Sequence, residues 1–306
     1  MKEVFAVQLR NVTKKIGDKT IIDNLSLDIL PGEVFGFLGP NGAGKTTTIR
    51  MMVGLMAMTE GEILIHNKSI ARDFKEAIAS VGAIVENPEL YGFMSGYRNL
   101  EHFANMVSGI GKNRIMEVAR QVGLEDRIHD KVKTYSLGMK QRLGLAQAIL
   151  HKPSVLILDE PSNGLDPAGI REMREYLRGL AKKENTAVIV SSHLLAEMEM
   201  MCDRIAIIQN GKLIDVKEKS DLIHQDDESW YAFKIDKPDK AKQHLREEFS
   251  DLEIVLEDGL LRVRAEAKTV AGINSWLVKN GCLVYTITQE IKTLEDRFLE
   301  VTGGRK

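Results

Sequence analysis

VFGFLGPNGAGKTTTIRMMV, Val34–Val53, is the stretch that decides the fold. Val34–Leu38 is apolar without alternation, which predicts a strand buried on both faces. Gly39–Thr46 fits the pattern G-x4-G-K-[ST], and Lys45–Val53 reads as a helix. A strand, a glycine-rich turn and a helix in that order form a cradle for phosphate. The glycines let successive backbone N–H groups turn inward as a nest, and the helix N-terminus adds its dipole. Gly39, Pro40, Asn41, Gly42, Ala43, Gly44, Lys45, Thr46 and Thr47 are therefore the candidate nucleotide-binding residues. Lys45 is placed to reach the terminal phosphates, and the Thr46 hydroxyl to ligate magnesium. The plain alternative is a glycine-rich turn with no ligand. The flanking strand and helix favour the cradle.

VLILDEPSNGLD, Val155–Asp166, raises a second question. Val155–Leu158 again reads as a doubly buried strand, yet Asp159 and Glu160 stand at its end. One reading is a strand end reaching solvent. The other is a metal ligand, Asp159, followed by a base, Glu160, that accepts a proton from water or orients it. With the cradle upstream the second reading gains, because an apolar strand beside the cradle strand is expected to end in a magnesium-holding Asp.

Outward from these stretches, FAVQLRNVT and TIIDNLSLDI alternate as antiparallel strands, whereas SVGAIVE and TAVIVSS have the density of parallel ones. YRNLEHFANMVSG, KNRIMEVARQVGL and MKQRLGLAQAIL read as helices with no strand between them, a helical insertion over about 97–150. After about residue 220 the order becomes SWYAFKI (strand), PDKAKQHLREEF (helix), DLEIVLE and LLRVRAE (strands), KTVAGINSWLVKNG (helix) and CLVYTIT (strand). This βαββαβ order predicts a ferredoxin-like domain. A last helix is expected at TLEDRFLEVTG. The expected fold is thus an α/β domain over 1–220 and a small α+β domain over 221–306.

Composition is that of a globular chain: 306 residues, 43% hydrophobic, 28% charged, net charge -2. That balance is not basic enough to suggest nucleic-acid binding by charge alone. Cys202 and Cys282 are too far apart for metal-ligand spacing and read as small reduced core residues. The start, MKEVFAVQLRNVTKK, lacks the apolar core of a secretory signal. No stretch approaches the ~20 apolar residues of a membrane span, so a soluble chain is expected. The methionines at 51, 52, 56, 58, 198, 200 and 201 read as packing residues.

Four further segments complete a family resemblance. YSLGMKQRLGLAQAIL (Tyr135–Leu150), SNGLD (Ser162–Asp166), SSH (Ser191–His193) and VENPELYGFMSGYRNL (Val85–Leu100) stand in the order found in ATPase subunits of ABC transporters. They resemble that family's signature, D-loop, switch histidine and Q-loop, over residues ~4 to ~220. The resemblance implies a P-loop ABC-type ATPase core with ATP and Mg2+ as its ligands. It also implies a second copy of the chain, whose signature, through Ser136 and Gly138, closes on the nucleotide held by the first. His193 is then expected to contact the γ-phosphate. The physics agrees: a Ser-Leu-Gly at a helix start presents a hydroxyl and free N–H groups to an anion.

Three residues or pairs depart from the family pattern. Ile16 stands where an aromatic residue often stacks on adenine, Glu86 replaces the Q-loop glutamine, and Met139-Lys140 occupy signature positions. Glu86 still offers an oxygen to magnesium. Glu86-Asn87-Pro88, SLGMKQRL and TLEDRFLEVTG together resemble the bacitracin-resistance and lantibiotic-immunity subgroup, close to drug-export ATPases. The function implied is an ATP-hydrolysing motor for an exporter of an antimicrobial peptide, antibiotic or other amphipathic compound. It would be cytoplasmic and peripheral on the inner face of the cell membrane, held by a separate permease. The alternative is a soluble ABC ATPase in assembly or nucleic-acid work. Either a dimer brace or a ligand site remains open for the C-terminal domain.

Overall fold

In the computed structural model, which describes residues 5–218, 229–249 and 252–290, the chain opens with a long hairpin, β1 (Val7–Ile16) and β2 (Lys19–Ile29). The next elements are β3 (Val34–Leu38), α1 (Lys45–Met52), β4 (Glu60–Ile65), β5 (Lys68–Ser69), α2 (Phe74–Ile78) and β6 (Val81–Ile84). The helical insertion follows as α3 (Gly96–Ala104), α4 (Lys112–Gln121) and α5 (Leu137–Ala148). The chain then returns to the sheet through β7 (Val155–Asp159), α6 (Pro167–Glu184), β8 (Ala187–Ser192), α7 (Leu195–Met201), β9 (Arg204–Gln209) and β10 (Lys212–Glu218). Contacts divide the chain into two compact units, residues 1–219 and 220–306.

Two sheets build the first unit. One is antiparallel in the order β2-β1-β4-β5, and the other runs β10-β9-β3-β8-β7-β6. In the second sheet β9, β3, β8, β7 and β6 are parallel, and β10 adds an antiparallel edge. Every residue of β3, β7 and β8 is buried, as strands covered on both faces must be. One core joins the two sheets to α1: Leu9, Ile22, Phe35, Phe37, Ile49, Met51, Met52, Ile157 and Ile189 belong to it. Met56 and Met58 pack against that core. Met198 and Met201 are buried, whereas Met200 is exposed. The start of β3 is pinned by Val34 N–H, which donates to Asp203 Oδ2 at 3.0 Å.

One expectation is corrected here. The strand ending in Asp159 does not lie beside the cradle strand, because β8 sits between β3 and β7. The β7–α6–β8 crossover returns a parallel strand to the sheet on the β3 side. Local sequence pattern carries no information about that order.

The second unit comprises β11 (Ser229–Ile235), α8 (Pro238–Glu248), β12 (Glu253–Glu257), β13 (Leu260–Ala265), α9 (Ala267–Lys279) and β14 (Val284–Glu290). Its antiparallel sheet has the order β12-β13-β11-β14. This is the split βαβ order that the sequence pattern predicts. Phe233, Leu245, Leu261, Val263, Ile273 and Leu277 form its core. Cys202 is buried, with its Sγ 3.4 Å from Met198 Sδ, and Cys282 is half-buried. The helix expected at TLEDRFLEVTG lies outside the described residues.

Phe233 is fully buried. Phe233→Ala is expected to cost the second unit about 3–5 kcal/mol. Urea unfolding of the full chain should then show an early transition that wild type lacks. A single unchanged transition would contradict an independent core in residues 229–290.

Candidate nucleotide site

Parallel ladders bring the strand ends together. Leu38 lies opposite Ser192, Ser191 opposite Asp159, and Leu158 opposite Ile84. The loops leaving β3, β7, β8 and β6 therefore emerge along one edge of the sheet, where open α/β sheets bind ligands.

The cradle leaves β3 at Gly39, where a Cβ would meet the Ile208 carbonyl at 2.3 Å. It enters α1 at Gly44, whose φ of 108° is open to glycine and strained for any other residue. A Cβ there would also strike Ile22 Cδ1 at 2.4 Å, so the β1–β2 hairpin packs directly on the cradle. No side chain caps α1 and no acid occupies its first turn. Its first N–H groups thus remain available to an anion. Asn41 and Gly42 are exposed at the loop tip, while Thr46 and Thr47 are half-buried.

Lys45 is 5% exposed. Its Nζ donates to the carbonyl oxygens of Gly39 at 2.7 Å and Pro40 at 3.4 Å, and lies 3.8 Å from Glu160 Oε1. Burial pushes its pKa below the ordinary lysine range, and the Glu160 and Asp159 charges pull it back up. Phosphate oxygens would act in the same direction as these acids.

Asp159 is 3% exposed at the end of β7. It accepts a hydrogen bond from Ser191 Oγ at 2.5 Å. Glu160 follows in the left-handed region, φ 48°, and its N–H donates to the same Ser191 oxygen at 2.9 Å. Glu160 Oε1 lies 3.3 Å from His193 Nδ1. Lys45, Asp159, Glu160 and His193 thus stand together, tied by Ser191, a residue that sequence reasoning passed over. Its signal was a pair of serines, Ser191-Ser192, ending an otherwise apolar strand.

Other predicted residues lie apart. Ser136 caps α5, its hydroxyl accepting from Met139 N–H at 3.3 Å. Ser136, Leu137 and Gly138 share with Gly164, Leu165 and Asp166 a cleft of about 1060 Å3, and no cradle residue lines it. Ile16 is 53% exposed at the tip of the β1–β2 hairpin, opposite Lys19. Glu86, expected at the metal, is 59% exposed in the left-handed region, and its carboxylate accepts from Arg50 Nη2 of α1 at 2.6 Å.

The donors suit magnesium: a buried carboxylate at Asp159 and a hydroxyl at Thr46 are hard oxygen ligands. Among the described residues no three His, Cys, Asp or Glu gather into a metal cage. This fits an ion that shares its shell with substrate phosphates and water.

Comparison with known proteins points to one family. The family described as ABC transporter matches residues 22–163. An uncharacterized ABC transporter ATP-binding protein, YhcH of Bacillus subtilis strain 168, is 55% identical over 300 residues, 98% of this chain and 97% of its own length. The bacitracin transport ATP-binding protein BcrA of Bacillus licheniformis is 39% identical over 300 residues, 97% of each chain. A solved dimeric ATP-binding cassette, MJ0796 in a post-hydrolysis state bound to ADP and Pi, has a TM-score of 0.63. It is 25% identical, and the match covers 70% of this chain and 98% of that one.

The Arg50–Glu86 pair is solvent-exposed, so its loss costs at most ~1 kcal/mol. Glu86→Ala should accordingly move the thermal midpoint by less than about 4 °C. Differential scanning calorimetry measures this, and a larger drop would make the pair a structural clamp.

Proposed function

The chain belongs to the family of ABC transporter ATP-binding proteins, and from that premise we propose that it powers export of an antimicrobial peptide, antibiotic or other amphipathic compound. One observation carries the ATPase reading: an anion-binding turn, a buried lysine, a buried carboxylate and a second acid converge on one sheet edge.

The residues divide the work. Cradle N–H groups from Gly39 to Thr47 bind phosphate oxygens. Lys45 exchanges its carbonyl partners for the terminal phosphates. Thr46 and Asp159 would hold Mg2+, which when bound offsets phosphate charge. Glu160 orients a water and takes its proton as the water oxygen bonds to the γ-phosphorus. The bond to the bridging oxygen breaks, and ADP leaves with that electron pair. His193, beside Glu160, contacts the γ-phosphate. Ile16 gives the base an apolar contact without aromatic stacking.

Separation of the signature cleft from the cradle supports a second copy as partner. Ser136 and Gly138 of one chain then close on ATP held by the other. The dimeric cassette bound to ADP and Pi supports the same arrangement. No helix among the described residues is long and apolar enough to cross a membrane, so the crossing is given to a separate permease. Tyr91 and Phe93, exposed and in edge contact at 5.9 Å, offer that permease an apolar surface beyond Glu86. On this reading the chain works at the inner face of the cell membrane. Similarity to BcrA along nearly the whole chain supports an exported antibiotic, and an accessory role in transport for the second unit.

Lys45→Ala and Asp159→Asn should each lower ATP turnover at least ~100-fold in a phosphate-release assay, the scale of losing one preorganised charge at a reacting group. Circular dichroism should remain that of wild type. Near-normal hydrolysis by folded Lys45→Ala would discard the assignment.

A further inference from the structure

Ser191 is fully buried on β8, between the cradle strand and the strand that carries the two acids. In the parallel register it faces Phe37 on one side and Asp159 on the other. Its hydroxyl makes two bonds of opposite sense, to Asp159 Oδ1 at 2.5 Å and from Glu160 N–H at 2.9 Å. A carboxylate only accepts and a backbone N–H only donates. The hydroxyl proton therefore points at Asp159 and a lone pair at Glu160, and the serine has no free rotamer.

We propose that Ser191 is a positioning residue for hydrolysis, orienting the Asp159 carboxylate toward the metal and holding Glu160 in its left-handed turn. The inference rests on the ATPase reading above and deepens it.

Two constraints lead there. The β7–β8 backbone ladder ends at Asp159, so the next N–H needs another acceptor in a buried setting. Ser191 Oγ is that acceptor. Glu160 then adopts φ 48°, a strained conformation for a non-glycine residue that persists only where the surroundings hold it. That turn carries its carboxylate to 3.3 Å from His193 Nδ1 and 3.8 Å from Lys45 Nζ. At Asp159 one carboxylate oxygen is occupied by the serine, which fixes the plane of the group. The other oxygen is left for a ligand. A single hydroxyl thus links the metal ligand to the water-orienting acid. Ser191→Ala removes the hydrogen-bond partner of both the Asp159 carboxylate and the Glu160 N–H.

The test uses the full chain, Mn2+ as probe metal and a non-hydrolysable ATP analogue. Ser191→Ala should weaken Mn2+ binding to the protein–nucleotide complex by about 10–100-fold, read by electron paramagnetic resonance, with a similar fall in kcat. Metal-free binding of a fluorescent nucleotide should stay as in wild type, because the cradle is intact. Ser191→Thr, which keeps the hydroxyl, should restore both Mn2+ binding and kcat. If Ser191→Ala does not accumulate folded, Ser191→Cys, a weak donor, carries the same test with the same expected losses. Wild-type Mn2+ affinity and kcat in a folded Ser191→Ala chain would overturn the role. So would an equal loss of metal-free nucleotide binding, which marks a packing role alone. Loss of turnover in Lys45→Ala tests the ATPase reading separately, so a failure confined to the Ser191 variants overturns only this inference.

Discussion

Burial of β3, β8 and β7 on both faces is the constraint on which the site depends. Strands of that kind have no room for a charge along their length. Charges can gather only where the strands end, and the parallel register makes them end together. Lys45 and Asp159 are consequently nearly as buried as the core, although both are charged groups. Each needs a partner. Lys45 leans on two carbonyl oxygens and on Glu160, and Asp159 takes the Ser191 hydroxyl. Removing a lysine from water lowers its pKa, and the neighbouring acids return part of what burial takes. A polyanion that brings its own cation suits such a set of one lysine and two acids.

The cradle is bounded as tightly by shape as by charge. Gly39 and Gly44 fit because the Ile208 carbonyl and the Ile22 side chain occupy the space a Cβ would need. The hairpin that presents Ile16 is therefore locked onto the phosphate loop. On another side of the unit, the Ser136 cap and the D-loop share a cleft without any cradle residue. Within one chain the Ser136 cap and the cradle do not line a common cleft. The proposed completion by a second copy rests on that separation.

Much of this was legible from local pattern. The dense strands Val34–Leu38 and Val155–Leu158, the glycine turn between Leu38 and Lys45, and the βαββαβ order of the second unit are signals that need no tertiary knowledge. The start of α5 at Leu137, two residues before the predicted helix, follows from Ser136 as its cap. The long helix α6 carried its own start signal in Asp166-Pro167, a capping residue followed by proline at the first position. What local pattern does not carry is strand order. The place of β8 between β3 and β7 is a property of the crossover, and with it came the role of Ser191. The Arg50–Glu86 pair was hidden for the same reason, since its partners lie 36 positions apart on separate elements.

The proposed working site is divided between two copies. Mixing two inactive chains tests it most directly. One carries Lys45→Ala, with a broken cradle and an intact signature; the other carries Gly138→Asp, with the reverse. Each should be silent alone in a phosphate-release assay. In a mixed dimer one site regains both halves, so turnover should return as the second chain is titrated into the first. Silence at every ratio, with both chains folded and the Gly138→Asp chain still binding ATP, would contradict the divided site.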